Sequence, residues 1–251
     1  MAREVNALLL DLSGVVYEGD QVIGGAREVI AEARARGLVL RFVTNTATRS
    51  GAAIESGLHR MGIELKPGEL ITAPMAAHAY IKQQGLRPYC LLHPNLQPEF
   101  ADLPRQNPDC VVLGDARDDL NYANLNRAFR LCQKGAPLIG IGMNRYFKDS
   151  DGLKLDAGPF IRALAWAAEV EPVIMGKPSA DFFHQVVAST GVPAQACLMV
   201  GDDVAADVAG AVAAGLQGCL VQTGKYQPGD EGRLPATARM VASIADVPAL
   251  I

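Results

Sequence analysis

The chain has 251 residues, 49% of them hydrophobic and 20% charged, enough to bury a sizeable core in one large domain or two unequal ones. That excludes a disordered chain and a small disulfide-stapled scaffold. Twenty-three basic against 27 acidic residues, a formal charge of -4, exclude the basic footprint of a nucleic-acid binder, so a phosphate-binding pocket has to be built locally.

Elements follow in chain order. Ala7-Leu8-Leu9-Leu10 is a continuous apolar run ended by Asp11 and Gly14, the pattern of a strand buried on both faces of a parallel sheet. Ala26, Val29, Ile30 and Ala33 recur at helical spacing, with Gly37 where a left-handed cap is wanted, and predict a helix over 26–36. A strand over 39–43 ends in Thr44-Asn45-Thr46, after which Ile54, Leu58 and Met61 repeat on one helical face up to Gly62. From about 79 to 170 the rhythm changes. Strands are expected over 89–93 and 110–113 with a Pro-rich loop between them, then a helix near 122–133, a strand over 138–143 and a polar, aromatic loop over 144–151. Gly158-Pro159 opens a helix whose apolar stripe holds Phe160, Ile161, Leu164 and Trp166, read as core residues that glue this segment together. Pro178 and Ser179 open another helix. A strand over 197–200 then runs into Gly201-Asp202-Asp203, an Ala-rich helix reaches Gly215, and a strand follows over 219–221.

This alternation predicts an α/β fold: a doubly wound parallel sheet formed by residues 1–78 and 171–251, interrupted by a smaller α/β domain over 79–170. In such sheets ligands sit outside the carboxyl ends of the strands, where Asp11 and Thr44 both fall. The five cysteines (Cys90, Cys110, Cys132, Cys197 and Cys219) form no C-x-x-C pair and have no histidine at metal-ligand spacing, so they read as reduced packing residues. No charge-free apolar stretch reaches the ~18 residues that span a bilayer, and residues 1–10 run into Asp11 before a signal-like core forms, which makes a cytoplasmic protein the expectation.

Four places can hold chemistry. Asp11, at a buried strand end, is a nucleophile if a cation and phosphate-binding groups converge on it, or else a turn cap before Gly14. Thr44 offers a hydroxyl and a loop of backbone N–H groups for phosphoryl oxygens, or a helix cap. Lys177, in Met175-Gly176-Lys177-Pro178-Ser179, sits beside the positive end of a helix, where a cation makes sense if an anion is present. Asp202, Asp203 and Asp207 place more negative charge at a strand end than capping one helix requires, and a hard divalent cation such as Mg²⁺ relieves it.

In that order, strand-end Asp, strand-end Thr, Gly-Lys-Pro and Gly-Asp-Asp resemble the motifs of the haloacid dehalogenase superfamily of phosphohydrolases, and they span Asp11 to Asp207. The resemblance implies a Rossmann-like core with Asp11 as phosphoryl acceptor. It makes Thr44 and Lys177 phosphate clamps, with Leu12, Ser13, Gly14, Asn45 and Thr46 in the phosphate-binding loops. Asp11, the Ser13 carbonyl and Asp202 become Mg²⁺ ligands, with Asp203 and Asp207 as supporting carboxylates. The insertion is similar to the cap of the subgroup that includes pyridoxal phosphatase and phosphoglycolate phosphatase, subclass IIA. Asp11-Leu12-Ser13-Gly14-Val15, Thr72-Ala73-Pro74, Gln84-Gly85-Leu86-Arg87-Pro88-Tyr89, Arg145-Tyr146-Phe147-Lys148 and Thr223-Gly224-Lys225 look like the phospholysine phosphohistidine inorganic pyrophosphate phosphatase family. A small phosphorylated substrate and a homodimer formed through the cap are what this likeness implies, with no nucleic-acid or membrane partner.

One position departs from the superfamily. Its phosphatases carry a second aspartate two residues after the nucleophile as general acid and base, and here that residue is Ser13. A hydroxyl has no proton-transfer pKa near neutrality, so turnover is slow or the substrate scarcely needs the acid. Two alternatives follow: a slow acyl-phosphate switch, or a phosphate-binding module with little turnover. In the insertion, Arg145 and Tyr146 are candidate substrate contacts, against the plainer reading of a solvated loop. Gly140-Ile141-Gly142 lacks the third glycine of a dinucleotide fingerprint, and the four histidines show no metal spacing.

Overall fold

The computed structural model describes residues 4–149 and 152–251. It contains two compact units, one of residues up to Thr44, Ala52–Ile71 and Lys177–Ile251, the other of Asn45–Gly51 and Thr72–Gly176.

The first unit is organised by a six-stranded sheet in the order Arg239–Val241, Gln217–Val221, Cys197–Gly201, Ala7–Asp11, Val39–Thr44, Leu70–Thr72. Ala7–Asp11 is buried at every position, as an apolar strand covered on both faces must be, and it pairs in parallel with Cys197–Gly201 on one side and Val39–Thr44 on the other. Leu10 lies opposite both Val200 and Phe42. Two segments far apart in sequence therefore share one sheet, and Asp11, Thr44 and Asp202 emerge at the same end of it. Helix Ala26–Ala35 buries Ala26, Val29, Ile30 and Ala33, and Gly37, at φ 77°, takes the left-handed turn that follows its end. Leu8, Leu10, Phe42, Ile54, Leu58, Ile244 and Val247 belong to one apolar cluster.

Beyond Asp203 the expected continuous Ala-rich helix is instead a π-helical turn, Val204–Ala209, followed by a short α-helix, Gly210–Ala213. The Val208 N–H donates five residues back to the Asp203 carbonyl, widening the turn. The side chain of Asp203 fixes the start by accepting from the Ala205 and Ala206 amides, each at 2.9 Å. Edge strands Leu70–Thr72 and Arg239–Val241 are too short for periodicity to reveal.

The second unit has a four-stranded parallel sheet in the order Val173–Ile174, Leu138–Gly140, Cys110–Leu113, Pro88–Leu91. Helices Tyr122–Cys132 and Ala157–Ala168 contribute Ala128, Ile161 and Leu164 to its core beside Val111, Leu113 and Leu138. Helix Ala73–Gln83 also falls in this unit. The Pro-rich stretch contains a 3₁₀ segment, Pro94–Phe100, that buries Leu96 and Phe100.

Two expectations fail here. The loop expected over 144–151 contains strand Tyr146–Asp149, paired antiparallel with Gly152–Leu155; residues 150 and 151 lie outside the described residues. Tyr146 and Phe147 are good strand formers, and Gly152 supplies the φ of 130° that few side chains tolerate. Trp166 is not core: it is 85% exposed, because Ala157, Ile161, Leu164 and Ala168 define the buried face and a residue two past Leu164 points away from it. Phe160 is partly buried against the same cluster.

Cys110, Cys132, Cys197 and Cys219 are buried, Cys90 is partly so, and all five are free thiols. Burial pushes Cys219 up to about 12, which keeps it protonated and inert. Among the described residues no helix is long and apolar enough to cross a membrane.

Leu10→Ala is expected to cost about 2–5 kcal/mol in urea unfolding, whereas Trp166→Ala should shift stability by no more than about 0.5 kcal/mol. Equal losses from the two would contradict this assignment of core and surface.

Candidate active site

Asp11 closes the central strand, with only 6% of its surface exposed. Lys177 comes from the segment before helix Ala180–Thr190 and is buried. Its Nζ donates to Asp11 Oδ1 at 2.7 Å and to the Val43 carbonyl at 3.3 Å, and lies 2.6 Å from Asp207 Oδ1. Burial alone lowers the pKa of a lysine, but the two carboxylates overcome it and hold Lys177 above its ordinary value, as an ammonium. For Asp207 burial is the larger influence and pushes its pKa up to about 6, with Lys177 opposing and Asp11 reinforcing the rise.

The π-helical turn brings Asp207 back over the strand end. A Cβ built on Gly201 would stand 2.1 Å from that of Asp207, so the strand must end in glycine for the carboxylate to reach Lys177. Asp207 Oδ2 accepts from the Asp203 amide at 3.1 Å. Asp202 is held by a second close approach. Its Oδ2 accepts from the Lys225 amide at 2.8 Å, and added Cβ atoms on Gly14 and Gly224 would fall 2.0 and 2.1 Å from that oxygen. Both glycines have positive φ, 86° and 62°, and the Thr223 hydroxyl, donating to the Gly14 carbonyl, ties the two loops together.

Asp202 Oδ1 is different: it is buried and finds no hydrogen-bond partner among the described residues. Burial raises the pKa of Asp202, opposed by the Lys225 amide. A buried carboxylate oxygen left without a donor is costly unless something positive meets it. One oxygen each of Asp11, Asp202 and Asp207 lie within 4.8 Å of one another, so the residues present fit a hard divalent cation such as Mg²⁺.

The structure brings Asp11, Lys177, Asp202 and Asp207 together. Thr44 is buried at the end of the strand beside Asp11, and Ser13 is exposed in the following turn. There the Leu12 carbonyl accepts from Val15, Val16 and Tyr17, and the Gly14 amide donates to the Tyr17 carbonyl. Asp203 caps the π-helical turn, its other oxygen 4.0 Å from Lys225 Nζ. Asn45 and Thr46 belong to the second unit, as do Arg145 and Tyr146, which are exposed at the start of the hairpin. The supports that residue-type reasoning leaves out are backbone ones: the Val43 carbonyl, the Lys225 amide and the glycines that make room. Thr223-Gly224-Lys225 directly after a buried strand, echoing Thr44-Asn45 after another, is the signal for them.

Residues 8–104 match the family described as haloacid dehalogenase-like hydrolase, and residues 174–247 one described as HAD-hydrolase-like. The phospholysine phosphohistidine inorganic pyrophosphate phosphatase of Xenopus laevis is 39% identical over 245 residues, covering 94% of this chain and 90% of its own. The chain belongs to the haloacid dehalogenase superfamily, as a phosphatase of subclass IIA. The phosphatase shares its fold with the p-nitrophenyl phosphatase of Archaeoglobus fulgidus, at TM-score 0.89 and 24% identity over 99% of this chain and 100% of that one. A glycerol phosphate phosphatase from Mycobacterium tuberculosis, solved in complex with magnesium, is 27% identical with TM-score 0.80, over 96% of this chain and 75% of that one.

Lys177→Met strands the buried carboxylates of Asp11 and Asp207, and chemical denaturation of the phosphatase should show a loss of about 3–5 kcal/mol. A loss below about 1 kcal/mol would mean that the ammonium is not what balances them.

Proposed function

We propose that the phosphatase is a Mg²⁺-dependent phosphohydrolase that works through an aspartyl-phosphate on Asp11, with small phosphorylated substrates bearing good leaving groups: pyrophosphate, and phosphoramidates such as phosphohistidine or phospholysine. The observation that supports this most is the Asp11 carboxylate, buried, fixed through Oδ1 by Lys177 and grouped with Asp202, one oxygen of which has no hydrogen-bond partner among the described residues.

Lys177 aims Asp11 through the hydrogen bond to its Oδ1, and its charge offsets that on the phosphoryl oxygens. The free oxygen of Asp11 attacks phosphorus, the bond to the leaving group breaks, and the departing oxygen or nitrogen takes a proton from solvent. Water then attacks the phosphorus of the acyl phosphate, releasing inorganic phosphate and restoring the carboxylate. Mg²⁺, held by Asp11, Asp202 and the Ser13 carbonyl, would supply neutralising charge at the phosphoryl group. Thr44 and the loop amides of Leu12 and Ser13 bind the remaining oxygens, and Asp207 fixes Lys177.

Ser13 selects the substrate class. A general acid contributes typically about 10²- to 10⁴-fold, and serine cannot supply it. Alkyl phosphate esters need that proton most, while the group that leaves from pyrophosphate is phosphate, which departs as an anion, and a P–N nitrogen is protonated by water. The pyrophosphate and phosphoramidates in the name of the Xenopus laevis relative agree with this ordering.

With Mg²⁺, kcat/KM on pyrophosphate or phosphohistidine should exceed that on sugar phosphates, and Asp11→Asn should abolish both. Ser13→Asp should raise kcat on sugar phosphates by about 10²-fold or more while changing pyrophosphate turnover far less. Equal kcat/KM for the two classes in the wild type contradicts the substrate preference. The same residue favours a second reading, a slow switch: an acyl phosphate that survives for minutes after substrate is removed would identify it.

A further inference from the structure

The 3₁₀ segment Pro94–Phe100 of the second unit is anchored on one side and reaches outward on the other. Leu96 and Phe100 are fully buried, and the His78 ring, from helix Ala73–Gln83, meets the Phe100 ring edge-on at 5.6 Å. His78 Nε2 lies 2.7 Å from Asp102 Oδ1 and Lys82 Nζ donates to Asp102 Oδ2 at 3.2 Å, so the chain leaving the segment is tied to the same helix. Asn95 and Glu99 reach the other way. Asn95 Nδ2 donates to the Thr48 carbonyl at 3.0 Å, and Glu99 Oε1 accepts from the Gly51 amide at 2.6 Å.

Both bonds go to one loop. It enters the second unit at Asn45, directly after Thr44 ends its strand, and closes at Gly51, the first residue of helix Gly51–Arg60. The opening amides of a helix have no acceptor within it, and a carboxylate suits them because they are also its positive end. Here the carboxylate comes from 48 residues further along the chain, so the bond fixes the end of the loop in space as well as capping the helix. At the start of the loop, a Cβ on Gly176 would lie 3.1 Å from Asn45 Oδ1, which leaves that side chain little room to move. The other oxygen of Glu99 is buried and finds no hydrogen-bond partner among the described residues. A carboxylate half satisfied in this way costs the fold stability, and what it secures is the path of Asn45–Gly51.

We infer that Glu99 is a positioning residue for phosphoryl binding: through the Gly51 amide it holds the loop Asn45–Gly51, and with it the Thr44 that precedes the loop, without touching substrate itself. This role rests on the proposed part of Thr44 in binding phosphoryl oxygens. Without the Glu99 carboxylate the loop loses the bond at its far end, and a displacement of ~1 Å at a binding group can cost about 10²-fold.

The test is steady-state hydrolysis of p-nitrophenyl phosphate by the full chain with Mg²⁺, inhibited by inorganic phosphate. Glu99→Ala should raise both KM and the inhibition constant of phosphate by about tenfold or more while kcat stays within about threefold, a split that partial unfolding does not produce. Glu99→Gln keeps the length and an acceptor oxygen and should recover most of the loss, whereas Glu99→Asp is too short to reach the Gly51 amide and should not. Thr44→Ala, measured alongside, tells two failures apart. A phosphate constant unchanged in Glu99→Ala but raised in Thr44→Ala overturns the role of Glu99 alone; constants unchanged in both overturn the part of Thr44 and the role built on it. Equal losses in the Ala and Gln variants would also overturn the role, since the acceptor oxygen is what holds the loop.

Discussion

A buried ammonium held between two buried carboxylates is the interaction on which the site depends. Lys177 reaches Asp11 at 2.7 Å and Asp207 at 2.6 Å, each contributed by a different stretch of chain. Burying three ions is expensive, and in a low-dielectric setting the arrangement survives only because attraction and hydrogen bonds are both well made. It still does not balance. Asp202 adds a third carboxylate to the cluster, and one of its oxygens finds no donor among the described residues. That imbalance is what makes the cluster fit a hard divalent cation.

Holding like charges this close places demands on the backbone. Three glycines, Gly14, Gly201 and Gly224, stand where any side chain would collide with Asp202 or Asp207. The π-helical turn after Asp203 carries Asp207, whose carboxylate accepts from the Asp203 amide and lies against Gly201 at the strand end. Pro178, against which Gly210 packs with no room for a Cβ, joins the Lys177 segment to this turn. Small residues and an irregular turn thus set the charges, while the apolar strands beneath set the frame.

Much of this was legible in the sequence, for reasons that differ by element. The run Ala7-Leu8-Leu9-Leu10 announced a strand buried on both faces, and the polar residues terminating such strands marked the reactive edge of the sheet. Order along the chain, Asp then Thr then Lys then paired Asp, supplied the family likeness that the comparisons bear out. What stayed hidden was local. Nothing in an alanine-rich segment distinguishes a π-helical turn from a helix, because the difference lies in which carbonyl one amide reaches. Trp166 looked like core by hydrophobicity, yet its angular position on the helix sends it to solvent. The hairpin at Tyr146 was obscured by polar neighbours, and backbone donors such as the Lys225 amide leave no trace in side-chain chemistry.

Calorimetric titration of Mg²⁺ into the full chain is the most direct test of the charge imbalance. One ion per chain should bind to the wild type and to Asp203→Asn, whose carboxylate lies outside the cluster, and binding should vanish in Asp202→Asn. If Asp202→Asn takes up the ion as the wild type does, or if the wild type takes up none, the unsatisfied carboxylate oxygen is not a cation ligand and the account fails.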